Sequence, residues 1–287
     1  SGHFEIVGNE VRVKSGQEID YETAQSHDIA IEVTDAGGNT YSETITINVE
    51  DYEGSASGTS GHEFFQGTSE EDQIKAGEGH DTILGGDGDD SISAGDGNDA
   101  IIGGTGADAI DGGDGEDTAR YDGSSSGVSV SLSSGTGSGG DAEGDTLKNV
   151  ENLQGSSYSD KLVGDAGDNT IDGMSGDDYI SGEGGADTLD GGSGSDEIDG
   201  GAGADTLYGG SGDDNLDGGV DNDVLQGDSG NDTIDGGDGE DTAVYTGNWA
   251  DYTITESAGT YKIVDNRPGS PDGTDTVTNV EDFEFAD

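Results

Sequence analysis

Aspartate recurs every nine residues along most of this chain, two residues before an aliphatic and just after a glycine-rich run. From Gly67 to Arg120 six nonapeptides follow one another without a gap, one of them reading G-G-D-G-D-D-S-I-S from Gly85 to Ser93. Their sixth positions are Asp72, Asp81, Asp90, Asp99, Asp108 and Asp117. A second block of ten runs from Gly155 to Val244, with Asp160, Asn169, Asp178, Asp187, Asp196, Asp205, Asp214, Asp223, Asp232 and Asp241 at the sixth position. Across both blocks 15 of 16 sixth positions are Asp and 14 of 16 eighth positions are Ile or Leu. Acidity selected for solubility alone would scatter carboxylates instead of locking them two residues before an aliphatic. The chemistry these residues support is capture of a hard cation. Calcium takes six to eight oxygen ligands at roughly 2.3–2.6 Å and accepts carbonyls as readily as carboxylates. Glycines at the front of each unit let the backbone turn its carbonyls toward one point.

Every sixth-position residue is therefore a candidate ligand, with three weaker ones. The units Gly67–Lys75 and Gly155–Val163 lack the second glycine and carry Glu70 and Tyr158 at position four, so they read as entry caps and weaken Asp72 and Asp160. Asn169 lacks the formal charge, and Asp221 replaces a position-four glycine. If each site needs loops two units apart, about twelve calcium ions are expected.

Positioning these loops requires short strands. Residues such as Thr82-Ile83-Leu84 read as a strand with its aliphatic inward, two nonapeptides making one turn with strands on two faces and cations along the edges. The composition says what such a fold lacks. Only 27% of residues are hydrophobic, 57 of the 287 are Gly, and 66 Asp and Glu face 8 Lys and Arg, for a formal charge of −58. A chain that polar and self-repelling is expected to be disordered unless cations neutralise it. One aliphatic per nine residues cannot offset the entropy of ordering them, so metal binding must supply folding free energy and the metal-free state is expected to be largely unfolded.

The charge excludes nucleic acid and disfavours anionic membranes. Cysteine is absent, and a zinc site would have to draw on the widely spaced His3, His27, His62 and His80. No apolar run is long enough to span a membrane and no signal peptide is present; the opening within strand-like sequence reads as a fragment of something larger. A catalytic constellation is also missing: there is no nucleophile elbow with a downstream His and no H-E-x-x-H. Paired acids such as Asp89-Asp90 are explained by their place in the repeat.

Both blocks end alike, in GGDGEDTARY (Gly112–Tyr121) and GGDGEDTAVY (Gly236–Tyr245). Alternating strands follow at Val128, Val130 and Leu132, and at Tyr252 and Ile254, and then a D-T-h-x-N-V-E-x-h segment at Asp145–Leu153 and Asp275–Phe283. Such segments suit a cover over the last face of a solenoid. A binding surface around Trp249, Tyr252 and Tyr261 is the other reading of the second flank. Residues 1–51 differ, with strands marked by Phe4, Ile6, Val11 and Val13, by Ile29, Ile31 and Val33, and by Ile45, Ile47 and Val49.

The units G-G-x-G-x-D-x-U-x, with U aliphatic, as at 191–199 and 236–244, closely resemble the RTX (repeats-in-toxin) family. The resemblance implies a right-handed parallel β-roll, type I secretion and folding in calcium outside a Gram-negative cell. Asp20-Tyr21-Glu22, Val33-Thr34-Asp35 and Ile47–Asp51 resemble the later half of a cadherin-like domain, which would place Asp20, Glu22 and Asp35 at an interdomain calcium site. Gly37 stands where that family has a second Asp, so these acids read equally as solvated. The expected fold is all-β: two calcium-loaded parallel β-roll solenoids with capping β segments, preceded by a β-sandwich fragment. The expected order is a partial cadherin-like sandwich at 1–51, a linker at 52–66, rolls at 67–120 and 155–244, a connecting cap at 121–154 and a final cap at 245–287. Two functions fit: the distal part of a secreted or cell-surface adhesin, with a glycan, cell-surface or protein partner, or the folding tail of an exported hydrolase.

Overall fold

The computed structural model of the protein describes residues 56–269 and 271–287, together with the backbone of four earlier strands. Those strands form two antiparallel hairpins, Phe4–Val7 with Glu10–Val13 and Ser26–Thr34 with Thr40–Asn48.

From residue 56 onward the chain is an all-β, mainly parallel solenoid of about ten turns. Among the described residues, helix is confined to single 3-10 turns at Gly140–Ala142 and Trp249–Asp251. Successive nonapeptides alternate between a fifteen-stranded and an eleven-stranded sheet. Ile83 lies beside Ile101 and Leu189 beside Leu207, so one turn takes eighteen residues, two units. A strand buries alternate residues, and here the eighth-position side chain points inward each time. Ile74 through Ile110 and Leu162 through Ile234 are all buried in one stacked column per sheet, ending each block on Ala119 and Ala243. The turns between strands carry the aspartates.

Two expectations give way. The two blocks do not make separate rolls: both sheets run through the insertion. Strand Asn152–Gln154 joins Thr118–Arg120 to Thr170–Asp172 in the eleven-stranded sheet. In the other sheet, Thr146–Lys148 extends Ala109–Asp114 in parallel. It is followed by antiparallel Thr136–Ser138 and Ser129–Ser131, and the last of these pairs in parallel with Lys161–Val163. The physical reason is edge pairing. A roll that ended at Arg120 would expose rows of unpaired backbone groups on both sheets, and the insertion satisfies them on both sides.

The second correction concerns 52–66. Within that expected linker, Ala56–Ser57 pairs with Gln73–Glu78 and Phe64–Gln66 with Thr82–Asp87, placing buried Phe65 beside Ile83. These residues begin the roll, because its first aliphatics need a cover as much as its last.

The C-terminal flank repeats the design of the insertion. Thr274–Thr278 extends Thr233–Asp235 in parallel, with Thr260–Asp265 and then Tyr252–Ser257 added antiparallel. Its loop is held by the Arg267 guanidinium, 2.8 Å from Asp265 and 2.7 Å from Asp272. The Tyr252 hydroxyl donates to Asp272 and accepts from Arg267. Tyr252 is buried beside Tyr245 and Phe285, and Tyr261 packs edge-on against Phe283, so both cover the core. Trp249, edge-on to Phe285, remains exposed.

Candidate metal centre

The sixth-position aspartates form two ladders along the edges of the roll. Within each block the backbone N–H donates to Oδ1 of the aspartate one turn on: Asp81 to Asp99 at 2.7 Å, Asp178 to Asp196 at 2.8 Å, Asp196 to Asp214 at 2.8 Å. The carboxylates are thereby pulled inward and buried. Their second oxygen is a different matter. In Asp81, Asp90, Asp99, Asp108, Asp117, Asp178, Asp187, Asp196, Asp205, Asp214, Asp223, Asp232 and Asp241, Oδ2 is buried without a hydrogen-bond partner. Native proteins rarely leave a buried polar atom unpaired, and a carboxylate oxygen least of all, because desolvating it is costly.

Backbone oxygen completes the arrangement. A methyl group built on Gly209 would stand 2.7 Å from Oδ2 of Asp214 and 2.8 Å from the carbonyl oxygen of Gly227 on the next turn. Built on Gly173 it would stand 2.6 Å from Oδ2 of Asp178 and 2.8 Å from the carbonyl of Gly191. At these units the opening glycine thus keeps free the space where an unpaired carboxylate oxygen and a carbonyl meet; two units open instead with buried Ala76 and Ala94. Further along the loop, Gly192 (φ 88°) and Gly194 (φ 142°) take left-handed or mirror-extended conformations that let loops stack. Among the described residues no three Asp, Glu, His or Cys side chains converge on one point. A cation here must be held by carbonyls together with carboxylates, a donor set of oxygen alone, which fits calcium and not zinc.

The electrostatics agree. Burial pushes these carboxyls up, reinforced by carboxylates on neighbouring turns and opposed by the backbone N–H. Asp90, Asp108 and Asp214 reach about 6, Asp117, Asp178, Asp187 and Asp223 about 7, and Asp232 about 8. Asp81, Asp99, Asp196, Asp205 and Asp241 shift the same way, burial being the largest cause in each. Without a bound cation, the buried column keeps its protons to higher pH than free aspartate does.

The weaker candidates separate from the rest. Both oxygens of Asp160 are taken, Oδ1 by the Val128 N–H (2.7 Å) and the Ser156 hydroxyl (2.8 Å), Oδ2 by the Ser156 N–H (2.5 Å). Asn169 accepts from the Asp165 N–H and donates to the Glu151 carbonyl. Asp72 turns Oδ2 to the Thr68 N–H and hydroxyl and leaves Oδ1 unpartnered. Asp20, Glu22 and Asp35 lie outside the described residues.

Three features escaped the sequence reading. Fifth-position side chains build a second, exposed ladder of opposite sense, accepting the N–H of the next turn, as Asp177 does from Ser195 (2.9 Å) and His80 from Asn98 (2.7 Å). Its signal was the polar character of position five. The D-T-h-x-N-V-E-x-h segments also belong to the ladders. Asp145 accepts from the Asp108 N–H at 2.9 Å and Glu151 from Asp117 at 2.9 Å, while Asp275 and Glu281 serve Asp232 and Asp241, each at 3.0 Å. The six-residue spacing of Asp and Glu hid them from a nine-residue search. Finally, Tyr121, directly after the first block, donates from its hydroxyl to Oδ2 of Asp145 at 3.0 Å.

Stacked glycine–aspartate loops of this geometry define a calcium-type parallel β-roll. The sequence pattern described as the RTX calcium-binding nonapeptide repeat (4 copies) matches residues 57–92, 84–119, 154–189, 181–216, 190–225 and 208–243, more than half of the chain, which therefore belongs to that family. Its nonapeptide repeats bind calcium, and the roll they build is structural, not catalytic. No curated protein matches the chain. Among solved structures, that of the extracellular lipase LipA from Serratia marcescens is similar over 81% of this chain at 20% identity. The TM-score is 0.20 and this chain spans 39% of that one's length; a likeness that loose carries no argument about chemistry.

Proposed function

We propose that this chain is a calcium-dependent folding module of a secreted protein, in which the thirteen regular sixth-position aspartates and the facing loop carbonyls hold the ions. The observation that carries this reading is the column of buried Oδ2 atoms without partners. Bound calcium would neutralise that column and lock successive loops together. The protein's own residues contribute the rest: the Oδ1 ladder orients each carboxylate, the glycines keep the carbonyls within reach, and the aliphatic stack excludes water from below. Export of an unfolded, highly charged chain into a calcium-rich exterior suits this arrangement, since the metal-free roll would be strained by its own carboxylates. A place in the distal part of a large adhesin is favoured by the cadherin-like pattern of residues 1–51.

The test is a calcium titration of chelator-treated protein followed by far-ultraviolet circular dichroism, with magnesium as control. A cooperative gain of β signal with calcium alone is expected. A fully folded chain in chelator at neutral pH, indifferent to calcium, would overturn the reading.

A further inference from the structure

The capping segments lie outside the residues matched by the repeat pattern, yet at one edge each brings a backbone carbonyl and an acidic side chain to the last repeat unit. In most units that open with glycine, such as those at Gly85, Gly191 and Gly209, that glycine faces its own aspartate and a glycine carbonyl from the next turn. At the last unit of the first block, a methyl on Gly112 would be 2.5 Å from Oδ2 of Asp117, and it would also run into the carbonyl oxygen of Asn149. At the last unit of the second block, Gly236 faces Oδ2 of Asp241 at 2.7 Å and the carbonyl of Asn279. Both asparagines have φ 50°, a left-handed conformation that Asn tolerates better than other non-glycine residues; the first glycines whose carbonyls they replace do not adopt it. Each is tied down by its side-chain amide, Asn149 to Asp111 at 2.8 Å and Asn279 to Asp235 at 2.7 Å. Two residues on, Glu151 and Glu281 accept the N–H that a further repeat aspartate would have accepted. Asp117 and Asp241 are fully buried (0% exposed), each with Oδ2 unpartnered.

The opposite edge is built differently. The three nearest atoms to a methyl on Gly103 all belong to Asp108, and those on Gly227 all to Asp232, with no carbonyl of the next turn among them. The following acid, Asp145, spends its second oxygen on the Tyr121 hydroxyl. Tyr245 stands against Asp275 in the second cap, its hydroxyl short of hydrogen-bonding geometry.

We propose that each cap closes one further calcium site, held by Asp117, the Asn149 carbonyl and Glu151 in the first and by Asp241, the Asn279 carbonyl and Glu281 in the second, while the tyrosine edge of each cap takes none. The inference rests on the calcium reading of the repeats. It assigns the Asn-Val-Glu of the motif a chemical role: Asn supplies the turned carbonyl, Val anchors the turn in the core, and Glu replaces the missing aspartate. Val150 and Val280 are buried accordingly.

Anomalous diffraction from crystals of the full chain grown with calcium, and with terbium in its place, tests the proposal directly. Peaks are expected beside Asp117 and the Asn149 carbonyl and beside Asp241 and the Asn279 carbonyl, with none between Asp145 and Tyr121. Peaks along the repeat loops without these two would overturn the proposal and leave the calcium reading intact. No peaks along the loops at all would overturn both. In solution, changing Glu151→Gln and Glu281→Gln together preserves the acceptor for the backbone N–H and removes the charge. One fewer bound calcium per altered cap is expected in equilibrium dialysis, with the β signal retained; an unchanged count would contradict the assignment.

Discussion

The two oxygens of a regular sixth-position aspartate differ in their surroundings. Oδ1 ties its turn to the backbone of the turn before, and Oδ2, buried without a partner, is the proposed cation ligand. Changing Asp196→Ala removes both: it strands the Asp178 N–H, a loss of about 1–3 kcal/mol for a buried donor, and takes a ligand from the middle of a ladder. The midpoint of calcium-induced folding is expected to move to higher calcium, as a dichroism titration would show. Asp160→Ala should move it less, because the oxygens of Asp160 already serve Val128 and Ser156 within the chain. Equal shifts would mean that the unpartnered oxygen is not what matters. Proton binding gives a second expectation. The folded carboxyls titrate at up to about 7–8, against 3.8 for an unperturbed aspartate, so the folded state holds more protons than the unfolded one between these limits. Metal-free stability therefore falls as pH rises through that window. In chelator, β signal should be greater at pH 5 than at pH 7.5, and calcium should bind more weakly at the lower pH, where it competes with protons.

At the scale of the loop, backbone conformation decides whether turns can stack. A methyl on Gly194 would run into the carbonyl of Gly176, backbone against backbone. Gly194→Ala is expected to abolish ordered stacking in the middle of the second block, seen as a loss of calcium-induced β signal, whereas exposed Ser193→Ala should leave it unchanged. Asp221 poses the converse case. It occupies a glycine position with φ 82°, a conformation that costs a non-glycine residue of order 1–3 kcal/mol. Asp221→Gly should lower the calcium needed for folding; a rise would show that its carboxylate is itself a ligand. The strands between loops were plain from the repeat, since an aliphatic every nine residues admits one inward position per strand. The caps were plain only as a recurring motif. Their function as ladder ends depends on Glu151 and Glu281 reaching backbone donors more than thirty residues away, which no local spacing encodes.

Over the whole molecule, both sheets run continuously through the two blocks, so the blocks are expected to fold as one cooperative object. Nearest-neighbour coupling governs solenoids, so the insertion at 121–154 is where that coupling can be cut. Val130 sits between Gly137 and Leu162 in the fifteen-stranded sheet. Val130→Pro would remove a backbone donor and distort the strand there. The single calcium transition expected of the native chain should then split into two, and a single transition in the variant would show that the eleven-stranded sheet alone carries the coupling. The sequence by itself determined the period, the calcium-binding character of the repeats and the inward residue of each strand, because each follows from chemistry repeated at a fixed spacing. Only the tertiary structure decided that the blocks share both sheets, that Ala56–Gln66 already belongs to the roll, and that Asp145, Tyr121 and Glu151 finish its ladders. Those outcomes depend on which exposed edge finds which distant strand, and the pairing of backbone groups across a turn leaves no periodic mark on the residues that bring it about.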